Sequence, residues 1–223
     1  MASSRGKKSF HSGQKYQHSI YEKMCKILIN NVKYNITEVQ GAGSGPDIII
    51  NNVNNRLNIG IEVKNKGAFE GGSKKLEYIN DSLGIKEDCI HKDILKNIKL
   101  YNGHNLPWYE GKKAQKDYNE KKHIFDKDIY IDVEPDMISK YYKNRGTYYI
   151  IIENKGLYHT GEDVLKLDVP YFICNDTKLR IRSSKHKKNK IPTDITAALH
   201  YNKKNLKKSQ YDLDNLPNNF TYC

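Results

Sequence analysis

The sequence predicts a mixed α/β fold, an α+β arrangement in which a central mixed β-sheet is flanked by helices. Three observations lead there. An apolar stripe of helical period lies near the N-terminus, a two-stranded hairpin signal spans residues 46–64, and a strongly apolar strand at Thr147–Glu153 follows a short proline-started helix.

Taken in order, residues 1–12 are rich in Ser, Gly and Lys and read as a flexible basic arm, leaving 13–223 as a single domain. From Gln14 to Asn30 the pattern is helical, with Ile20, Tyr21, Met24, Ile27 and Leu28 on one face and Glu22 at its margin. Val32–Val39 reads as a first strand, and Gly41–Gly45 as a glycine-rich link. A phosphate-binding loop is the alternative there, but Gly-Lys-Ser/Thr is missing and Pro46-Asp47 leads into a strand instead of a helix.

The hairpin is the most informative stretch. If Asn54-Asn55 is a two-residue turn, a conformation Asn tolerates, then Val53 faces Arg56 and the count along the ladder sets Asp47 opposite Glu62. Side chains alternate with period two. Ile48, Ile50, Ile59, Ile61 and Val63 therefore share one face, while Asp47, Glu62 and Lys64 share the other. Opposed Cβ atoms lie only ~5 Å apart, so two carboxylates held this way repel and favour a divalent cation between them.

Beyond the hairpin, Asn65–Ser73 reads as a glycine-bearing loop and Lys74–Ile98 as mostly helical. Tyr101–Tyr109, with Trp108, reads as an irregular connection and Glu110–Lys122 as a solvated helix. Ile129–Val133 is strand-like, and Glu134-Pro135-Asp136 starts a helix through Tyr142. Thr147–Glu153 is a buried strand, and Leu157–His159, Tyr171–Cys174 and Leu179–Arg182 are shorter ones. Ser183–Lys190 reads as a lysine-dense loop or phosphate-binding patch, and Asp194–Tyr201 as a helix.

Composition narrows the function. A net charge of +12 favours a polyanionic partner. The four cysteines include no Cys-x-x-Cys pair, which argues against a thiolate metal site and a disulfide framework. No apolar run approaches the ~18 residues of a membrane span, and Met1–His18 is polar and basic, so the expectation is a soluble, cytoplasmic protein. The histidines show no His-Asn-His or zinc-protease spacing, and no nucleophile elbow is present.

Pro46-Asp47, a gap, then Glu62-Val63-Lys64 resembles the motif of the PD-(D/E)xK nuclease superfamily, which includes most type II restriction endonucleases, Holliday junction resolvases and several repair nucleases. The resemblance implies a restriction-endonuclease-like core and Mg2+-dependent hydrolysis of double-stranded DNA. Asp47, Glu62 and the Val63 carbonyl would hold the metal, and Lys64 would orient the attacking water. Glu22 on the preceding helix is the candidate auxiliary acid, with Glu38 as its rival. A type II enzyme would act as a homodimer, one active site for each strand. A structure-selective nuclease, and a non-catalytic nucleic-acid-binding protein on the same fold, are the alternatives.

Overall fold

The computed structural model describes residues 4–39, 45–52, 57–65, 70–79, 82–84, 128–185, 192–217 and 220–222. Helix α1 (Ser4–Met24) is followed by strands β1 (Ile27–Ile29), β2 (Asn35–Glu38), β3 (Ile48–Asn52) and β4 (Leu57–Lys64). Then come β5 (Glu70–Ile79), β6 (Ser82–Gly84), β7 (Ile129–Asp132), helix α2 (Met137–Lys143), β8 (Thr147–Ile152) and β9 (Gly156–His159). The chain continues through β10 (Lys178–Lys185), β11 (Pro192–His200), a 3-10 turn (Lys203–Asn205) and β12 (Phe220–Tyr222).

These elements form two compact units, where the sequence suggested one domain. The first comprises Met1–Ala68, Pro135–Asn175 and Lys203–Cys223, and the second Phe69–Glu134 and Asp176–Asn202. In the first, a five-stranded mixed sheet has the order β2-β3-β4-β8-β9, with β4 and β8 parallel and the other neighbours antiparallel. The hairpin isoleucines form its core: Ile48, Ile50, Ile59 and Ile61 are all at most 2 % exposed, alongside Ile20, Met24, Tyr149 and Ile151. Each such side chain contributes ~1.5–3 kcal/mol on burial, so the greasy face of the hairpin fixes which way its polar face points. Gly60 makes close sheet packing possible. A Cβ there would lie 2.4 Å from the Gly146 carbonyl and 2.7 Å from the Pro46 ring.

In the second unit, β6-β5-β11-β10-β7 form an antiparallel five-stranded sheet. Two segments expected to be helical are strands here, β5 within Lys74–Ile98 and β11 over Asp194–Tyr201. Ala197 and Leu199 suit a helix by propensity. Their alternate positions between β5 and β10 bury both, and that pairing outweighs the local preference. β5 also begins at Glu70, inside the expected loop, and β10 runs on to Lys185.

In the first unit, α1 starts at Ser4 and so takes residues 4–12 of the expected arm, then stops at Met24. Ile27–Ile29, expected in that helix, pair as a strand with Phe220–Tyr222, a long-range partner invisible to local periodicity. Tyr171–Cys174 contributes only a bridge from Tyr171 to His159. The connection holding Trp108, the expected helix at Glu110–Lys122, the link 41–44 and the turn at 54–55 lie outside the described residues. No described helix is long and apolar enough to cross a membrane.

Candidate active site

β3 and β4 pair with Ile48 opposite Ile61, Ile50 opposite Ile59 and Asn52 opposite Leu57. This is the register that a two-residue turn at Asn54-Asn55 requires. Asp47 sits one residue beyond the ladder and is fixed at three points. Its N–H donates to the Ile61 carbonyl (3.0 Å), its carbonyl accepts from Val39 N–H (2.8 Å), and its Oδ2 accepts from Val63 N–H (2.8 Å). Helix α1 reinforces the corner, because Gln17 Nε2 donates to the carbonyls of Val39 (2.9 Å) and Asp47 (3.3 Å). Val63 therefore turns its peptide edge toward Asp47. In an antiparallel ladder a residue's N–H and C=O leave on one edge, so the Val63 carbonyl points the same way.

Glu62, buried to 9 % exposure, and Lys64 project from the opposite face of β4 to Ile61 and Val63. The Lys64 ammonium forms an ion pair with Glu62 Oε1 and lies 5.7 Å from the centre of the Tyr142 ring. Asp47 feels this crowding. Burial, followed by the charge of Glu62, pushes its pKa up to about 6, against the opposing pull of the Val63 N–H, Lys64 and Arg145. Asp47 and Glu62 thus form a partly desolvated acid pair, with Lys64 as the adjacent cation.

Three further residues complete the surroundings. Tyr142, from α2, is buried beside this pair. Burial and then the charges of Glu62 and Asp47 hold its phenol well above the usual range, and its hydroxyl makes no hydrogen bond of good geometry. Arg145, from the turn after α2, stacks on Tyr141 with its Cζ 5.0 Å from the ring centre, and its Nη1 donates to the Tyr141 hydroxyl. Its Nη2 is buried without a partner. Lys203, from the 3-10 turn, donates to the Asn65 carbonyl next to Lys64. Burial, followed by the charge of Lys64, lowers its pKa to about 8.

None of these three was singled out from the sequence. Arg145 carried a signal, being one of five arginines in a chain whose other 33 basic residues are lysines. Tyr142 and Lys203 are lost among 17 tyrosines and those lysines, and only the tertiary fold distinguishes them.

The two candidate auxiliary acids both meet His18. Glu22 is 62 % exposed on α1, with His18 Nε2 at 3.7 Å. Glu38 accepts from the same histidine through Nδ1 at 2.9 Å, an interaction that raises the His18 pKa. The structure gathers Asp47, Glu62 and Lys64 and leaves Glu22 and Glu38 around His18.

Among the described residues no cluster of three or more His, Cys, Asp or Glu side chains forms a metal centre. A cation here would therefore have two carboxylate ligands, and the rest of its shell would come from backbone oxygen and water. Magnesium suits such a donor set, since it takes hard oxygen ligands and retains several waters. The chain matches no protein-family model, no curated protein and no solved structure.

Proposed function

We propose that this protein is a Mg2+-dependent endonuclease that hydrolyses phosphodiester bonds in double-stranded DNA, in the manner of a type II restriction enzyme acting as a homodimer. The observation that carries the proposal is the hairpin register with its Asp47 anchor, because it sets the half-buried Asp47, the buried Glu62 and an ammonium on one corner of the sheet. Support also comes from the helix upstream of the hairpin, from the strand β8 beside β4, and from the net charge of +12. These fit a restriction-endonuclease-like core acting on a polyanion.

Asp47, Glu62 and the Val63 carbonyl would hold the cation. When bound, Mg2+ supplies Lewis acidity toward a phosphoryl oxygen and lowers the pKa of a coordinated water. The chain's own residues account for the rest. With a pKa near 6, Asp47 is ionised at neutral pH, and its repulsion with Glu62 raises the affinity of the corner for a divalent cation. Lys64 orients a water for attack and sets positive charge where negative charge grows on the phosphorus oxygens. Tyr142 walls the corner from solvent, which strengthens each of these interactions.

Incubating the protein with plasmid DNA and Mg2+, then repeating with EDTA, tests the proposal. Discrete fragments that vanish with EDTA support it, and cutting of branched substrates alone identifies a structure-selective nuclease instead. Binding without cleavage in the presence of Mg2+ refutes the catalytic reading. The Asp47→Asn, Glu62→Gln and Lys64→Met proteins are each expected to lose cleavage by ~10²-fold or more.

A further inference from the structure

The second unit has a surface of its own. Along β10, Leu179 and Ile181 are fully buried, while Lys178, Arg180 and Arg182 alternate with them and point to the other face. Register extends that face sideways. Lys178 stands opposite His200 of β11 and Asp132 of β7, and Arg180 stands opposite Ala198 and Tyr130. Tyr130 is 49 % exposed and meets the His200 ring edge-on at 5.9 Å. One side of the sheet is therefore apolar core, and the other carries basic groups and an open aromatic ring.

Charge is concentrated in this part of the sequence. Between Asp176 and Asn202 there are seven Lys and Arg against two Asp, a net +5, whereas Phe69–Glu134 holds twelve Lys against thirteen Asp and Glu, a net −1. Beyond Arg182 the sequence continues with four lysines within residues 185–190. Two acids temper the face, Asp132 pairing with Lys178 at 3.0 Å and Asp128 approaching Arg180 at 3.8 Å, and Arg182 is exposed. Arginine is scarce in this chain, yet two of its five copies occur here at alternate positions. A planar guanidinium engages phosphate through two parallel hydrogen bonds, which an ammonium does not.

We infer that the β7–β10–β11 face of the second unit is a nucleic-acid-binding surface that grips the phosphate backbone of duplex DNA through Lys178, Arg180 and Arg182, with Tyr130 at its edge. Alternate residues on a strand are ~6.8 Å apart, so the three cations span ~14 Å. One DNA strand presents about four phosphates over that length; Lys178 and Arg182 are open to meet them, and Arg180, its side chain 14 % exposed, would turn from Asp128 to do so. The choice of DNA among polyanions rests on the nuclease proposal; the charge pattern does not.

The test uses the full chain carrying Glu62→Gln, in EDTA, with binding to a short labelled DNA duplex followed by fluorescence anisotropy across a salt series. Because cleavage is disabled and the cation chelated, the result is independent of whether Asp47 and Glu62 catalyse anything. Adding Lys178→Gln, Arg180→Gln and Arg182→Gln together should weaken binding by ~10²–10³-fold at ~0.1 M salt and reduce the slope of log K against log salt by ~2–3. Arg182→Gln alone, at an exposed position, should fold normally, weaken binding ~5–10-fold and reduce the slope by ~1. A matched loss of charge from the first unit, Lys26→Gln with Lys207→Gln and Lys208→Gln, should leave the slope unchanged. Equal slope changes in the two triple variants, an unchanged Arg182→Gln protein, or tighter binding to an RNA duplex of the same length would each overturn the inference.

Discussion

Replacing Asp47 by Asn should stabilise the protein while abolishing cleavage. In the folded state burial and the charge of Glu62 raise the Asp47 pKa from 3.8 to about 6. The sign follows from proton binding. Between those two pH values the folded state holds more protons than the unfolded one, so the contribution of Asp47 is most favourable below pH 4 and is lost as pH rises through 6. At ~1.4 kcal/mol per pH unit, the penalty at neutral pH reaches at most ~3 kcal/mol. Asparagine keeps an oxygen to accept the Val63 N–H and removes the charge, so most of that penalty disappears. A gain of ~1–3 kcal/mol is expected, or up to ~6–12 °C in Tm at ~2–4 °C per kcal/mol for a chain of this size. The assay is thermal or urea unfolding of both proteins in EDTA from pH 4 to 8, read as the difference between them. That difference should be near zero at pH 4 and level off above pH 6. A flat difference, or an Asp47→Asn protein that is less stable at neutral pH, would refute the partly desolvated acid pair.

Mg2+ at a hundredfold excess over its Kd should stabilise the wild-type protein by ~2.7 kcal/mol, and the gain should be small in the Asp47→Asn protein; differential scanning fluorimetry with and without the cation checks both. Gly60→Ala should destabilise the fold by ~3 kcal/mol or more, because its Cβ meets the Gly146 backbone and Pro46 at under 3 Å, and urea unfolding measures the cost. Lys203→Met should remove an ionisation near 8 from the pH–rate profile of plasmid cleavage, reflecting the lowered pKa of that amine beside Lys64. The same substitution should flatten a stability difference. A lysine with a depressed folded pKa costs stability below about 8, and the cost fades as pH climbs toward 10.5, so the variant should gain most at neutral pH.

How far the sequence reached depended on the range of the interactions concerned. The hairpin was legible because everything that sets it is local: an isoleucine run, Ile48–Ile50, bounded by Asp47 and Asn51, two asparagines suited to a turn, and a fixed residue count between Asp47 and Glu62. β7, α2, β8 and β9 were legible for the same reason. Ile27–Ile29 was not, since its strand character depends on Phe220–Tyr222, about 190 residues away in the chain. β11 was misread because Thr196-Ala197-Ala198-Leu199 is weakly committed on its own and is decided by the strands on both sides. At the site, Asp47, Glu62 and Lys64 were recoverable from spacing. Tyr142 and Arg145 arrive from α2 and the turn after it, and Lys203 from the 3-10 turn, while a helical stripe gives the facing of Glu22 only to within one side of a cylinder, the side that also carries His18.

The second unit is built from two separated stretches of chain, and its strands interleave them: β10 lies between β7 and β11, and β11 between β10 and β5. Neither stretch holds a complete sheet. Trimming from either terminus cannot release this unit intact, and a nick in the stretch from 85 to 127 would leave fragments held together by the strand ladders. Any transplant of it onto another scaffold must carry both inserts at once.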